Sequence, residues 1–248
     1  MKDPTQICRG FTDEQWKVLR KRLIGADGNV LDDEPAWCCA VEVFERRVEE
    51  RFLSCIEALG EADSQLDVEI PPGAPADCST LPDGDGRPAV VPGFAIMALC
   101  CLLIETLQSF RLLQAAPAPS TEQCSYPDGR CIRPSPSTTT TELFKKFLRL
   151  PSFQGAFDED TIAKDFIKGI RNGILHEAET RKWVIWRNEP VNRILEPSSA
   201  GYYAVNRTEF YRALKSEFEK YLQELRLPAS KDLRKRFVKK MNDIVKVS

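Results

Sequence analysis

The sequence predicts an all-α fold: a helical bundle with one small β hairpin and two long irregular insertions. Apolar side chains recur at three- and four-residue steps through most of the chain, as on the buried face of an amphipathic helix. Short runs of aromatic and β-branched residues occur in one region only, around residues 182–205. Proline, glycine, serine and threonine are concentrated in residues 61–92 and 116–141, a composition typical of loops.

The N-terminal part, residues 1–60, predicts helices that pack on the rest of the bundle. Residues 12–15 (Thr-Asp-Glu-Gln) have the form of a capping box, which begins a short helix. A longer helix is predicted over residues 35–59, where apolar side chains repeat at helical spacing. The acidic, Pro- and Gly-rich residues 61–92 follow as a solvated loop.

Residues 93–248 predict a helical domain that the flexible insertion at residues 116–141 interrupts. Two short segments, residues 182–187 and 201–205, predict a hairpin-like pair of strands. The predicted helices cover residues 94–113, 142–150 and 161–179, and two more begin at caps provided by Asn206 or Thr208 and by Ser230.

Composition indicates a globular protein. Hydrophobic residues make up 42% and charged residues 29% of the 248 residues, which is too apolar for a disordered chain and too charged for a membrane bundle. The net charge of −2 combines two unlike parts: residues 142–248 hold 22 Lys and Arg against 15 Asp and Glu, and residues 1–141 hold 13 against 22. A basic half raises the question of a polyanionic partner.

The nine cysteines do not have the pattern of a disulfide framework. Their number is odd and no signal segment precedes them, so a cytoplasmic location is expected. Cys124 and Cys131 flank a predicted turn and are the one pair that could form a bridge or bind a metal, but with a single histidine in the chain no metal site is expected. The most apolar run, residues 94–104, is about half a membrane span, so no membrane association is expected.

Residues 165–177 contain the only histidine of the chain. On an α-helical wheel, at about 100° per residue, Asp165, Gly169, Asn172 and His176 fall on one arc. Arg171 lies about 140° from His176 on the same wheel. Its long side chain would either wrap toward that face or serve the site of a second protomer.

Two glycines, Gly169 and Gly173, flank this polar stripe. Together they lower the helix propensity by about 2 kcal/mol. This cost is explained if a partner helix or a polynucleotide approaches the backbone closely. The alternative is that the glycines mark only tight packing within the chain.

These residue types suit the cleavage of RNA. An imidazole can exchange a proton with a ribose hydroxyl or a leaving oxygen near neutral pH. A guanidinium can stabilise the charged phosphorane, and an amide can orient either group. No metal or other cofactor is required when the ribose supplies the nucleophile. A lone histidine at a helix edge is nevertheless commonly structural, which is the alternative to this interpretation.

The segment Arg171-Asn172-x3-His176 resembles the R-x4-6-H motif of the HEPN superfamily, in its R-N-x3-H form. Residues 93–107, 142–148 and 173–180, with Trp183 and residues 206–210, extend the similarity over about residues 91–225. The resemblance implies a HEPN-like bundle that forms a homodimer through its motif helices. It also implies a metal-independent endoribonuclease, in a toxin or phage-defence setting, that leaves 2′,3′-cyclic phosphate and 5′-hydroxyl ends.

By this resemblance His176 would be the acid/base residue, Arg171 would brace the phosphate and Asn172 would assist. RNA would be the substrate, and a cognate antitoxin or inhibitor would be a further partner. Other HEPN proteins have lost catalysis and bind nucleotide, nucleic acid or a partner protein. Such a non-catalytic module is the alternative function.

Further residues are assigned supporting roles. Glu105 follows an apolar run, and we expect it to pair with Arg171; the alternative places it at the exposed end of its helix. Lys168, with Lys235 and Lys239 of the basic C-terminal segment, is predicted to bind RNA electrostatically. The alternative for the C-terminal lysines is an ordinary solvated helix face.

Overall fold

A computed structural model of the protein describes residues 5–64, 92–111, 140–187, 192–197 and 203–246. Within these ranges the fold is predominantly helical, as predicted, and contains two small β-sheets. The insertions predicted at residues 61–92 and 116–141 lie almost entirely outside the described residues, as do Cys124 and Cys131. The six cysteines within the described residues are all free thiols.

The chain begins with a two-stranded antiparallel ribbon of β1 (Gln6–Cys8) and β2 (Phe11–Thr12), which leads into α1 (Asp13–Leu23). The predicted capping box is present: the Thr12 side chain accepts a hydrogen bond from the Gln15 N–H, and the Gln15 side chain accepts one from the Thr12 N–H. The ribbon was not predicted, because two or three residues are too few to show an alternating pattern.

The second helical region contains α2 (Glu34–Val48), a π-helical turn, π1 (Glu49–Leu53), and α3 (Ser54–Ser64). Asp33 caps its beginning by accepting a hydrogen bond from the Ala36 N–H. These segments follow one another without a break, so the helix predicted over residues 35–59 is confirmed and extends further than expected.

The remaining elements surround one central helix, α4 (Gly93–Arg111). They are α5 (Thr140–Leu148), a 3-10 turn (Pro151–Phe153), α6 (Asp160–Phe166), a second π-helix, π2 (Ile167–Glu177), α7 (Arg207–Arg226) and α8 (Lys231–Val245), together with the strands described below. Asn206 provides the cap for α7, since its Oδ1 accepts hydrogen bonds from the N–H groups of Thr208 and Glu209.

Helix α4 is long and apolar enough, by length and composition alone, to cross a membrane. Its most apolar window has a mean hydropathy of 1.7, and 56% of that window is buried inside the fold. The core helix of a soluble protein passes the same test, and α4 contacts α3, α5, α7, α8 and π2. Its outer face leaves Phe94 and Leu102 exposed, at 39% and 40%.

The aromatic region forms a three-stranded sheet rather than a hairpin. Strand β5 (Tyr203–Asn206) lies between β3 (Trp183–Trp186) and β4 (Leu195–Pro197). The two predicted segments do pair, but in parallel, with Trp183 opposite Tyr203. The predicted hairpin is therefore wrong. Between β3 and β5 the chain forms β4, which runs antiparallel to β5. Strand β4 is too short to show an alternating pattern in the sequence.

Two groups of aromatic side chains fill the core. In the first, the Phe44 ring lies 4.4 Å from Phe110 of α4 and 5.5 Å from Phe237 of α8, so the N-terminal helices share one core with the rest of the chain. In the second, Phe166 lies 5.3 Å from both Trp183 and Phe210. The second group supports the start of π2.

The basic character of α8 is partly structural, because Arg234 is fully buried. Its two Nη atoms each donate to one carboxylate oxygen of Glu34, at 2.9 Å, and its Nε donates to the Leu225 carbonyl oxygen at 2.9 Å. The guanidinium also lies 4.6 Å from the Trp37 ring centre. Arg234 thus joins α8 to α2 and α7.

Replacing Arg234 by Met should lower the free energy of unfolding by about 2 to 3 kcal/mol, because Glu34 and the carbonyl oxygens of Leu225 and Arg226 lose their donor. Urea denaturation measures the change. The exposed neighbour Lys235 provides the matched control: Lys235→Met should change the free energy by less than about 0.5 kcal/mol. Equal effects of the two substitutions would contradict a structural role for Arg234.

The same pair predicts a pH dependence. Hydrogen bonds from Arg234 hold the pKa of Glu34 below its usual value. The stabilisation from this carboxylate is therefore present above the pKa of the unfolded chain and is lost as the pH falls through the lowered folded pKa. Denaturation of Glu34→Gln across that acidic range should show a correspondingly weaker pH dependence.

Candidate functional site

The predicted motif, Arg171 to His176, lies on the π-helix π2 and not on an α-helix as expected from the sequence. A π-helix is hydrogen-bonded between residues five apart, and the terminal bond here joins the Ala178 N–H to the Gly173 carbonyl. Arg171 and His176 are also five apart. In a π-helix, residues five apart are about one turn apart and lie on the same side of the helix. The separation of 140° between Arg171 and His176, expected from an α-helical wheel, is therefore wrong.

Arg171 is held from two sides. Its Nε donates to Oε1 of Glu105 at 2.6 Å, and its Nη2 lies 2.5 Å from the same oxygen. Its Nη1 donates to Oδ1 of Asn172 at 2.8 Å. The side chains of Arg171 and Glu105 are 20% and 28% exposed. The predicted ion pair is therefore present, and Glu105 is not at a freely exposed helix end.

These contacts hold the guanidinium of Arg171 in place and leave some of its N–H donors unused. Since a guanidinium carries more N–H donors than these three contacts use, Arg171 keeps donors for an anionic ligand. The partial burial of the pair strengthens its attraction relative to an exposed pair. Asn172 and Glu105 both act as acceptors here, so each orients Arg171.

The thiol of Cys101 lies beneath the pair, one turn before Glu105 on α4, and is fully buried. Burial raises the pKa of this thiol, and the charge of Glu105 raises it further. Cys101 therefore remains a neutral packing group and does not supply a thiolate nucleophile to the site.

His176 lies near the end of π2 and is exposed, beside the half-buried Ile174 and Leu175. In the part of the chain that the structure describes, no group hydrogen-bonds to its imidazole. Both ring nitrogens are thus accessible to a ligand. A histidine that capped a helix or filled the core would instead have a protein partner.

The two motif glycines are covered by the chain itself. A methyl group on Gly169 would lie 2.9 Å from Nε1 of Trp183 and closer still to its ring carbon, and a methyl group on Gly173 would overlap the Glu179 carbonyl oxygen. Both glycines are buried. The expectation that a partner helix or a polynucleotide approaches them is wrong, and the alternative of tight packing within the chain is confirmed.

A sharp reversal after π2 produces this packing. Ala178, with φ of 54°, ends the helix in the left-handed conformation, and the Arg181 guanidinium lies 2.5 Å from Oε1 of Glu177. Trp183 then returns over the helix and donates from Nε1 to Oδ2 of Asp165 at 3.0 Å. This contact divides the polar stripe, since Asp165 accepts a hydrogen bond from Trp183 whereas Asn172 accepts one from Arg171.

The predicted RNA-binding lysines are all exposed but belong to two helices. Lys168 lies on π2, and Lys235 and Lys239 lie on α8. The pKa of Asp27 is lowered mainly by hydrogen bonds from Asn29 and also by the charge of Lys235, which places that lysine beside the turn between α1 and α2. The structure thus brings together Glu105, Arg171 and Asn172, but not the lysines of α8.

Sequence reasoning missed the part played by Trp183 in the site. Its side chain is 2% exposed and stacks on Tyr203 with ring centres 5.1 Å apart. The available signal was the pair of glycines at a spacing of four, followed within ten residues by a tryptophan. A bulky ring requires a small opposing residue when it packs on a helix backbone.

Comparison of the chain with family models, curated proteins and solved structures gave no match. Among the described residues, no group of three or more His, Cys, Asp or Glu side chains is arranged to hold a metal ion.

Replacing Gly173 by Ala should destabilise the protein by about 2 kcal/mol, because the new methyl group overlaps the Glu179 backbone. The matched control is Gly60→Ala on α3, where no atom of the described residues lies within 4 Å of the added methyl group. This control should be neutral or stabilising by up to about 1 kcal/mol through helix propensity. Thermal and urea unfolding measure both. Equal stabilities would refute the close packing on π2.

Proposed function

We propose that the protein is a metal-independent endoribonuclease of the HEPN type, with His176 as acid/base residue and Arg171 as the phosphate-binding residue. The observation that supports this most is the position of Arg171, which Glu105 and Asn172 hold while the exposed His176 follows five residues later on a π-helix. π-Helical turns frequently occur at functional sites.

The proposed reaction uses the ribose of the substrate as nucleophile. The neutral imidazole of His176 accepts the proton of a 2′-hydroxyl, and the 2′-oxygen forms a bond to phosphorus. Arg171 donates hydrogen bonds to the phosphate oxygens, whose negative charge increases in the phosphorane. The bond from phosphorus to the 5′-oxygen then breaks, and this oxygen takes up a proton. The products are a 2′,3′-cyclic phosphate and a 5′-hydroxyl.

A homodimer suits this chemistry, because one imidazole accepts a proton while the leaving oxygen needs another donor. His176 of a second copy supplies that donor when the motif helices of two protomers face each other. The exposed apolar side chains of α4 support such a contact. Leu102 is 40% exposed and lies three residues before Glu105, on the same side of α4, so an apolar surface borders the candidate site.

From the resemblance of the Arg171–His176 segment to the HEPN motif, we propose that the enzyme belongs to a cytoplasmic toxin or phage-defence system. RNA would be the substrate and a cognate antitoxin or inhibitor protein a further partner. The basic excess of residues 142–248, with 22 Lys and Arg against 15 Asp and Glu, favours a polyanionic substrate. No metal or organic cofactor is needed for the proposed steps, since the ribose and the side chains supply every reacting group.

Cleavage of mixed RNA by wild type and His176→Ala, side by side in EDTA, tests the proposal. The wild type should release fragments with 2′,3′-cyclic phosphate ends, and the substitution should lower the rate by a factor of about 100 to 10,000, the usual contribution of a general acid–base group. End-group analysis and gel electrophoresis measure both. Lys164→Ala, an exposed cation on α6, is the control and should retain full activity.

Equal cleavage by wild type and His176→Ala would contradict the assignment of His176. RNA binding without cleavage by either protein would instead support the non-catalytic module. Sedimentation of the same preparations tests the dimer. Leu102→Glu should produce monomers and abolish cleavage, and full activity of a monomeric Leu102→Glu protein would refute the dimeric site.

Glu105 is proposed as a positioning residue, because it touches Arg171 and not the substrate. Glu105→Ala should lower kcat by about 10- to 100-fold through misplacement of the guanidinium, with unchanged circular dichroism. Glu105→Gln retains an acceptor oxygen and should restore part of the rate. A purely structural role predicts instead that activity follows thermal stability across the two variants.

A further inference from the structure

We propose that a second cleft, formed by α4, α5 and the start of α8, binds a phosphate group. The cleft has a volume of about 560 Å³, and three cationic side chains line it: Arg111, Lys146 and Arg236. None of these residues belongs to the candidate site around Arg171. The cleft would be a second binding site beside the proposed active site, and phosphate binding there does not depend on cleavage.

The N-terminus of α8 opens into this cleft. Ala229, Ser230 and Leu233 all line it, and the Ser230 side chain at the N-cap makes no capping hydrogen bond. The first N–H groups of a helix have no partner within the helix, and the helix dipole makes this end positive. An anion in the cleft would provide the missing acceptor.

A second, independent observation points to a missing ligand. Gln108 lines the cleft with a side chain only 3% exposed, and its Oε1 has no hydrogen-bond partner among the described residues. The Nε atoms of Arg111 and Arg236 are buried and equally unpartnered within that part of the chain. Three such atoms around one cleft are unusual, because buried polar groups are normally satisfied.

These groups match the chemistry of a phosphate. The guanidinium groups and the helix N-terminus are donors, and the Gln108 amide presents its NH2 group when it is rotated by half a turn. A phosphate accepts several hydrogen bonds at once and pairs well with arginine. Glu224 and Asp232 also line the cleft; since Glu224 accepts from Nη1 of Arg111 at 3.2 Å, it holds that arginine in place while the lining keeps a net positive charge.

The cleft lies next to the candidate active site. Gln108 and Glu105 together line a smaller pocket of about 220 Å³ between α4 and α5, and Glu105 holds Arg171. A phosphate in the cleft could thus belong either to a free nucleotide or to the backbone of an RNA strand that extends from the active site. The two sources share the same chemistry, and two probes separate them.

Binding of AMP and of a 2′-O-methyl RNA hexamer, which cannot be cleaved by 2′-hydroxyl attack, tests the proposal in the whole 248-residue chain. The decisive variants are Ser230→Asp and Ser230→Asn, because both side chains cap a helix well but only the aspartate places a negative charge in the cleft. Calorimetry should show Kd at least tenfold higher for Ser230→Asp than for Ser230→Asn. Lys146→Ala should also weaken binding, and the exposed Lys164→Ala should not.

Tight binding of AMP, lost in Ser230→Asp, identifies a terminal phosphate as the ligand, whereas binding of the hexamer but not of AMP, lost in the same variant, identifies backbone phosphates. Either result supports the site even if the protein cleaves no RNA. The absence of binding by both probes to wild type overturns the proposal. Equal affinities of the Asp and Asn variants overturn it too, because thermal unfolding independently reports that both variants are folded.

Discussion

The close packing of residues 178–183 against π2 is the constraint on which the candidate site depends. Two glycines allow this contact, since any side chain at Gly169 or Gly173 would overlap Trp183 or Glu179. Trp183 then packs against Phe166 and Tyr203, which joins π2 to the second aromatic group and to the sheet. The backbone that carries Arg171 and His176 is therefore fixed at both ends by core packing rather than by the site itself.

Helix α4 contributes to the core and to the site through different faces. Cys100, Cys101 and Ile104 are fully buried, whereas Glu105 reaches Arg171 at the edge of the core. A carboxylate in this position is stable only with a charged or hydrogen-bonding partner. The site thus uses an interaction between helices that the fold itself requires, and Arg171 is oriented before any ligand binds, which reduces the cost of ordering it on binding.

Much of this arrangement could be predicted from local pattern. Apolar periodicity located the helices, the capping residues located several of their ends, and the carboxylate after an apolar run indicated the partner of Arg171. The π-helical geometry could not be predicted, because apolar spacing of three and four residues indicates a helix but does not distinguish a π-helix from an α-helix. The contact of Trp183 with Gly169 and the parallel pairing of β3 with β5 also escaped prediction, since both depend on how distant segments return in space.

The polar residues at the end of α4 connect the two proposed sites. Glu105, Gln108 and Arg111 follow one another at steps of three near the end of a largely apolar helix, where each unpartnered buried polar atom lowers stability. Glu105 is paired with Arg171, and Arg111 donates to Glu224. Gln108, the most deeply buried of the three, has an amide oxygen without a partner among the described residues. Because its two neighbours on α4 are paired and it is not, rotation of this amide by half a turn would direct its NH2 group to a phosphate in the cleft that Gln108 lines.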